Sequence, residues 1–139
     1  MAGRMHEELR LTIRNDLGEL ARVSALAREL LERHGVDAQV AYATELALEE
    51  VLSNVIRHGY PDREPHEIAL WLGVGEGGIE LRVEDDGREF DPTTAAGADL
   101  DRPLAERQAG GLGIHLLRAF VSEMRYERLG DRNSLWLRI

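Results

Sequence analysis

The sequence predicts one α+β domain, a two-layer sandwich in which helices cover one face of a mixed, mostly antiparallel sheet. Its 139 residues are enough for a single domain with its own core. Five short segments have the composition or alternation of strands, and three longer segments repeat apolar residues at helical spacing. These elements follow the order βααββαββ without an internal repeat, so residues 1–139 are predicted to form one domain.

The first half of the chain contains one strand and two helices. Residues 9–14 alternate apolar and polar side chains, which is typical of a half-buried strand. The first helix is predicted to begin at the capping side chains of Asn15 and Asp16 and to extend up to His34 and Gly35. The second begins at the capping residue Asp37 and is stopped by the sequence Gly-Tyr-Pro that starts at Gly59.

The second half contains four strands and the third helix. Strands are predicted at residues 68–72 and 79–83, joined by a glycine-rich turn, and at residues 124–128 and 135–139. The turn matches the pattern G-x-G-x-x-G, but it joins two strands rather than a strand and a helix. We therefore interpret it as a hairpin and not as a dinucleotide-binding loop. Residues 114–121 repeat apolar side chains at helical spacing and form the third helix.

A long segment without periodicity, residues 91–109, precedes the third helix. It is rich in proline, glycine, threonine, aspartate and alanine. Loops of this length inside a compact domain are uncommon and are usually functional or disordered. We interpret the segment as a lid over a binding site.

The composition excludes several classes of protein. No cysteine is present, which excludes disulfides, thiolate zinc sites and cysteine nucleophiles, and fits a reducing cytoplasm. No apolar run approaches the ~20 residues of a membrane span, and the N-terminus has no signal-peptide core. The net charge of -9 argues against binding to a phosphate backbone. We expect a cytoplasmic protein without direct contact to nucleic acid or membrane.

All 17 basic residues are arginines. A P-loop places a lysine on the β- and γ-phosphates, and a eukaryotic-type protein kinase needs a lysine on its third strand. Schiff-base chemistry also needs a lysine. Any nucleotide bound by this chain is therefore held in another way.

The second helix carries the first candidate site. At ~100° per residue, Glu50 and Asn54 lie in the same arc as Ala47, whereas Glu49 and Ser53 face a more exposed side. A carboxylate and an amide on an apolar face need partners, because burying unpaired polar groups is costly. They form either a functional site or a structural arrangement in which Glu50 caps a backbone group or meets an arginine.

Two further motifs place binding groups at the ends of elements. Asp85 ends a strand and can accept a hydrogen bond from an exocyclic amine, while Gly87 permits close backbone approach. The Asp-Gly pair is also a common turn signal. The sequence Gly110-Gly111-Leu112-Gly113 opens the third helix, where it forms either an anion site or a hinge of the lid.

In this order the three motifs resemble the GHKL ATP-binding fold, the Bergerat-type fold, which binds ATP without a P-loop. The resemblance is closer still to a small branch, the bacterial anti-sigma-factor serine kinases. Residues 49–60 (EEVLSNVIRHGY) look like the N-box of that branch. Residues 85–92 (DDGREFDP) and 110–117 (GGLGIHLL) look like its later boxes. The resemblance extends from about Leu9 to the C-terminus.

The resemblance implies a role for each matching residue. Asn54 would be a ligand of a Mg²⁺ ion that bridges the ATP phosphates. Glu50 would be the general base for a serine hydroxyl of a protein substrate. Asp85 would accept a hydrogen bond from the adenine amino group, and Gly87 would let the base approach the backbone. The expected ligands are ATP or ADP and Mg²⁺.

The lid and the last strand would complete the pocket. Arg107, on the lid, would contact the γ-phosphate. Ser134 lies where the family often has a threonine near the adenine. The phosphates would be held at the start of the third helix by Gly110, Gly111 and Gly113.

The resemblance predicts a cytoplasmic anti-sigma factor that is also a protein-serine kinase. It would bind a sigma factor and phosphorylate a STAS-domain anti-anti-sigma partner in a partner-switching cascade. Relatives in this branch often dimerise, so a homodimer is an expectation of the resemblance alone. Two alternatives stay open: a nucleotide-gated protein-binding module without kinase activity, and a switch kinase of a stress-signalling complex. The presence of Glu50 beside Asn54 favours the enzyme.

Overall fold

The computed structural model describes residues 5–95 and 118–139. Residues 118–120 are helical, and the rest of the predicted third helix lies outside the described residues. The described strands and the first two helices follow the predicted order, and residues 92–95, in the predicted lid, form an additional one-turn helix. These elements are β1 (Met5–Arg14), α1 (Leu20–Arg33), α2 (Ala38–His58), β2 (Glu67–Gly75), β3 (Gly78–Asp85), the one-turn α3 (Pro92–Ala95), β4 (Glu123–Leu129) and β5 (Arg132–Arg138).

The described strands form one five-stranded sheet with the order β1-β2-β3-β5-β4. Each neighbouring pair in this sheet is antiparallel. The central strand β3 therefore lies between β2 and β5, and Asp85 at its end is directly opposite Asn133 of β5. The predicted fold class, α+β with an antiparallel-rich sheet, is confirmed.

The helices begin and end where local side-chain chemistry requires. Asp16 accepts a hydrogen bond from the backbone N–H of Gly18 at 2.9 Å and begins a 3₁₀ turn that leads into α1. Asp37 caps α2 in the same way, through the N–H of Gln39 at 2.9 Å. Gly35 ends α1 with a φ of 59°, a left-handed conformation that glycine adopts without steric cost. In the described part of the chain, no helix is long and apolar enough to cross a bilayer.

The hydrophobic core lies between the two long helices and one face of the sheet. Leu30 of α1 and Leu52 of α2 are almost completely buried, and leucines of the strands meet them from the sheet. Burial of such side chains is the main favourable term in folding. The most completely buried leucines of the strands are Leu72, Leu81 and Leu137.

The other face of the sheet carries charged and aromatic side chains instead. Strand side chains alternate between the two faces, so Trp71 and Trp136 lie opposite the buried leucines that flank them in sequence. The guanidinium of Arg82 lies over the ring of Trp71 at 5.4 Å, and that of Arg125 over Trp136 at 4.8 Å. The two long helices of the described chain thus pack on the same face of the sheet, as predicted.

The hairpin between β2 and β3 is tighter than the sequence predicts. Gly73 and Gly75 belong to β2, and Gly75 pairs directly with Gly78, so the turn has only two residues. A Cβ atom at Gly73 would lie 2.7 Å from the sulfur of Met5 and 2.9 Å from the ring of Trp71. This glycine therefore makes room for side-chain packing within the sheet, and the interpretation as a hairpin rather than a nucleotide loop is confirmed.

Candidate active site

A narrow cleft lies between α2 and the ends of the central strands. The structure brings Asn54 of α2 and Asp85 of β3 together in this cleft. Its walls are otherwise mainly apolar. The lining residues are Val51, Asn54 and Val55 of α2, Val83, Asp85, Met124, Tyr126, Asn133 and Leu135 of the strands, and Phe90 and Pro92 at the edge.

Glu50 and Asn54 lie one turn apart on α2, as the helical spacing predicts. Asn54 is buried, and Glu50 is half-buried. The Oε2 atom of Glu50 is buried and has no hydrogen-bond partner among the described residues. Burial raises the pKa of the Glu50 carboxyl, and the charge of Glu49 raises it further, whereas Arg57 lowers it. Within the described residues, Glu50 is therefore neither a helix cap nor half of an ion pair.

The exposure predicted for Ser53 is wrong. Glu49 is exposed as expected, but Ser53 is only 8% exposed, and its hydroxyl donates a hydrogen bond to the carbonyl of Glu50 at 3.3 Å. Buried residues of α2 cover more than one arc, because the helix packs against both α1 and the sheet. A single apolar stripe underestimates the burial of such a helix.

Asp85 is almost completely buried at the end of β3. Its Oδ1 accepts hydrogen bonds from the backbone N–H of Gly87 and from Nδ2 of Asn133, both at 2.9 Å. Among the hydrogen bonds of the described residues, Oδ2 accepts none. Asp85 therefore makes the turn that the Asp-Gly pair indicates and also lines the cleft, and its role as an acceptor for an exocyclic amine stays a prediction.

Asn133 is a site residue that the sequence analysis missed. Its Nδ2 donates to Asp85 and also to the carbonyl of Arg88 at 2.9 Å. Its Oδ1 accepts from the hydroxyl of Tyr126 at 2.5 Å and from Nη1 of Arg128 at 3.1 Å. This buried amide fixes the orientation of the Asp85 carboxylate from β5.

The structure does not bring Ser134 to the cleft, contrary to the predicted role. Ser134 lies opposite Glu84 and Glu127 in the sheet, on the face that carries Trp136. The reason is the alternation of side chains along β5, which places Asn133 on the inner face and its neighbour on the outer one. The sequence contains the necessary signal, because the inward leucines at positions 135 and 137 put position 133 on the same face.

Gly87 is required by contact between two backbone segments. A Cβ atom there would lie 2.8 Å from the carbonyl oxygen of Gly59 and 2.9 Å from Oδ1 of Asp85. The N–H of Arg88 also donates to the Gly59 carbonyl at 2.9 Å. In the structure, this glycine is therefore needed for the packing of the end of α2 against the loop after β3. The close approach of adenine, which the resemblance implies, stays a prediction.

The phosphate side of the predicted site lies mostly outside the described residues. Arg107, Gly110, Gly111 and Gly113 all fall there. Of the predicted lid, residues 91–95 are described, and Pro92–Ala95 form the one-turn helix α3 rather than a loop. Pro92 lines the edge of the cleft, so the start of this segment borders the candidate site.

Comparison with known families identifies the family of the domain. A sequence profile of the histidine kinase-like ATPase domain matches residues 13–139. The chain belongs to the histidine kinase-like ATPase family. This confirms the family inferred from the motifs around Asn54 and Asp85.

Similar members of the family are protein kinases or anti-sigma factors by name. The serine/threonine-protein kinase BtrW of Bordetella bronchiseptica is 32% identical over 100 residues, 72% of this chain and 70% of BtrW. The serine-protein kinase RsbW of Oceanobacillus iheyensis is 27% identical over 85 residues, 58% of this chain and 54% of RsbW. The anti-sigma F factor of Clostridium novyi is 31% identical over 81 residues, 58% of this chain and 57% of that factor. The chain thus spans little more than half of the last two relatives.

A solved structure shows the same fold. The crystal structure of the RsbU and RsbW domains of a Mycobacterium tuberculosis protein matches 94% of this chain with a TM-score of 0.64 and 22% sequence identity. The match covers 31% of that longer chain. The predicted class of enzyme, an ATP-dependent protein-serine kinase, is the class named for BtrW and RsbW.

Proposed function

We propose that this chain is an ATP-dependent protein-serine kinase that also acts as an anti-sigma factor. Its protein substrate is a serine of a STAS-domain anti-anti-sigma partner. One observation carries the proposal: Asn54 and Asp85 line one cleft, and a half-buried carboxylate, Glu50, lies one helical turn from Asn54. The names of BtrW, RsbW and the anti-sigma F factor support both parts of the activity.

The strand side of the cleft suits an adenine ring. Asp85 is fixed through Oδ1 by Gly87 and Asn133, which leaves Oδ2 to accept a hydrogen bond from the exocyclic amine. The apolar side chains of Val83 and Leu135 border the same space. A carboxylate at an apolar wall is the combination that a base with one amino group requires.

Asn54 is the described residue that suits a magnesium ion. Its amide oxygen is a hard ligand in the cleft, and Mg²⁺ takes one or two protein oxygens together with phosphate oxygens and water. Among the described residues, no group of three or more acidic or histidine side chains could hold a metal without such help. When bound, Mg²⁺ neutralises charge on the phosphates.

Glu50 is suited to accept the proton of the substrate serine. As the serine oxygen forms a bond to the γ-phosphorus, the bond from that phosphorus to the β,γ-bridging oxygen breaks and ADP leaves. The serine proton goes to the Glu50 carboxylate. Burial raises the pKa of this carboxyl and brings it closer to the operating pH, which is the condition for an effective general base.

Incubation of the protein with Mg-ATP and purified STAS-domain proteins of the same cell tests this proposal. We expect one partner to gain a single phosphoryl group on a serine, detected by mass spectrometry. An ATP-dependent complex without any phosphoryl transfer, by a protein that binds ATP, would support the nucleotide-gated binding module instead. Adding sigma factors to the same mixture tests the anti-sigma activity, since phosphorylation of the partner should leave the kinase bound to its sigma factor.

The proposal includes the cellular location and the oligomeric state of the protein. We place it in the cytoplasm as a homodimer, on the resemblance to the anti-sigma kinases. Sedimentation velocity with and without ADP measures the oligomeric state. A monomer under both conditions would remove the homodimer from the proposal but not the kinase.

A further inference from the structure

The loop between α2 and β2 holds a histidine between two carboxylates. His66 Nε2 lies 2.8 Å from Oδ2 of Asp62, and its Nδ1 lies 3.2 Å from Oδ2 of Asp86. The ring stacks on Tyr60, with centroids 4.3 Å apart and planes 18° apart. The side chain is only 19% exposed. These contacts fix both nitrogens and one face of the ring.

The backbone of His66 is also fixed. Its N–H donates to the side-chain oxygen of Asn15 at 2.9 Å, and its carbonyl accepts from the N–H of Asn15 at 3.1 Å. The Asn15 side chain donates to the carbonyl of Glu64 at 3.0 Å. The backbone that carries the imidazole is therefore anchored at the end of β1, independently of the loop that carries Asp86.

Asp86 belongs to the loop that carries the adenine acceptor. It stands between Asp85, which lines the cleft, and Gly87, whose backbone packs on Gly59. The loop is held to the α2–β2 loop at three points: the Gly87–Gly59 contact, the Arg88–Gly59 hydrogen bond and the His66–Asp86 contact. Of these three contacts, only the last changes with the protonation state of a side chain.

A neutral imidazole has one N–H and can donate to one carboxylate only, whereas an imidazolium donates to both. The hydrogen bond to Asp62 and, less strongly, that to Asp86 raise the pKa of His66, against the opposing effect of burial. The phenol of Tyr60, on which the ring stacks, stays neutral, because burial and the charges of Asp85 and Asp86 raise its pKa. The groups that face the ring from both loops therefore favour the protonated form.

We propose that His66 is a positioning residue for the nucleotide, holding residues 85–88 in the adenine-binding geometry through its contact with Asp86. This inference rests on the proposed nucleotide-binding function. At a pH below the pKa of His66, the imidazolium contacts both carboxylates and holds the loop in place. As the pH rises through that pKa, the ring loses one N–H and therefore one of the two contacts. Nucleotide affinity should therefore fall over the same range of pH.

Calorimetric titrations with Mg-ATP between pH 6 and 9 test the inference on the wild type and His66→Gln. The ionisation of ATP is common to both proteins, so the ratio of their Kd values is the readout. We expect His66→Gln to bind about fivefold more weakly at pH 6 and equally at pH 9. His34→Gln is the matched control, because His34 contacts the carboxylate of Glu7 at 2.7 Å at the far end of α1. Its Kd should equal that of the wild type throughout.

A second measurement uses the wild-type protein alone and does not depend on the folding of a variant. Coupling between sites is reciprocal, so Mg-ADP binding should raise the pKa of His66. The ring resonance, assigned by its contact with Tyr60, reports this pKa by NMR. A pH-independent Kd ratio, or a His66 pKa that is unchanged by nucleotide, overturns the inference and leaves the proposed function intact. Absence of ATP binding by the wild type overturns both.

Discussion

The strand side of the cleft and the helix α2 beside it satisfy their polar groups to different degrees. On the strand side, Asp85 and Asn133 are buried, and each forms hydrogen bonds with residues fixed in the sheet or its loops. On α2, Glu50 lies one turn from Asn54 and is not a lining residue of the cleft, and its buried Oε2 has no partner among the described residues. Of the two carboxylates, only that of Asp85 is anchored.

In the proposed function, this difference separates the residues that bind the nucleotide from the residue that accepts the proton. Buried polar groups with partners stabilise a defined geometry, which a recognition site needs. A carboxylate without a partner keeps its capacity to accept a proton, and burial raises the pKa of Glu50 toward the range useful for a general base. Groups that break the rule of satisfied burial tend to mark functional sites.

The largest effect is expected for Glu50→Gln. Removing the base should lower the rate of partner phosphorylation by about 10²- to 10⁴-fold, and the affinity for ATP should stay unchanged. Quench-flow or mass spectrometry measures the rate, and calorimetry measures the affinity. Glu29→Gln is the matched control, since Glu29 is an exposed glutamate of α1 and does not contribute to the pKa shift of Glu50.

The stability of the same variant tests whether the buried Glu50 carboxylate lacks a hydrogen-bond partner. The carboxylate disfavours the folded state at neutral pH, and this effect disappears as the pH falls through its raised pKa. Glu50→Gln should therefore be at least as stable as the wild type at pH 7, measured by chemical denaturation. A clear loss of stability together with normal phosphorylation would show that Glu50 is structural.

The next largest effect is expected for Asp85→Asn. The substitution replaces an ionised acceptor by a neutral amide, and a hydrogen bond to a charged group contributes about 1.5–3 kcal/mol. Affinity for ADP should fall about 10- to 100-fold in a calorimetric titration. Glu84→Gln is the control, because Glu84 precedes Asp85 but lies opposite Ser134 on the outer face. Equal losses in both variants would mean that charge in general, and not this acceptor, governs binding.

A smaller effect on stability is expected for Gly87→Ala. The added methyl group would meet the Gly59 carbonyl and the Asp85 carboxylate, and such overpacking typically costs about 1–3 kcal/mol. Chemical denaturation measures the change. Gly130→Asn is the control, since Gly130 lies in a turn with open space around it and asparagine tolerates its positive φ. A Gly87→Ala variant as stable as the wild type would contradict the proposed contact with Gly59.

The sequence predicted the elements that local chemistry determines. Capping by Asp16 and Asp37 marked the starts of the helical segments, and the helical spacing placed Glu50 and Asn54 on one side of α2. It did not predict the length of β1 or the strand glycines 73 and 75, because those depend on pairing with strands distant in sequence. Strand ends are set by partners, not by local composition.

The errors at the site have the same origin. Ser134 and Asn133 differ by one position, and one position reverses the face of a strand. The resemblance to the family assigns the role near the adenine to Ser134, which faces outward. The alternation of Leu135 and Leu137 indicates instead that Asn133 faces inward. His66 could not be recognised at all from the sequence, because its partners Asp62 and Asp86 come together only when the two loops pack.

Binding of Mg-ATP in the cleft between α2 and the sheet can be measured by calorimetric titration with ATP in the presence and absence of Mg²⁺, on the wild type and Asn54→Ala. We expect micromolar-range binding that Mg²⁺ strengthens in the wild type, and loss of that strengthening in Asn54→Ala. Absence of ATP binding by the wild type, or an equal effect of Mg²⁺ on both proteins, would contradict this expectation.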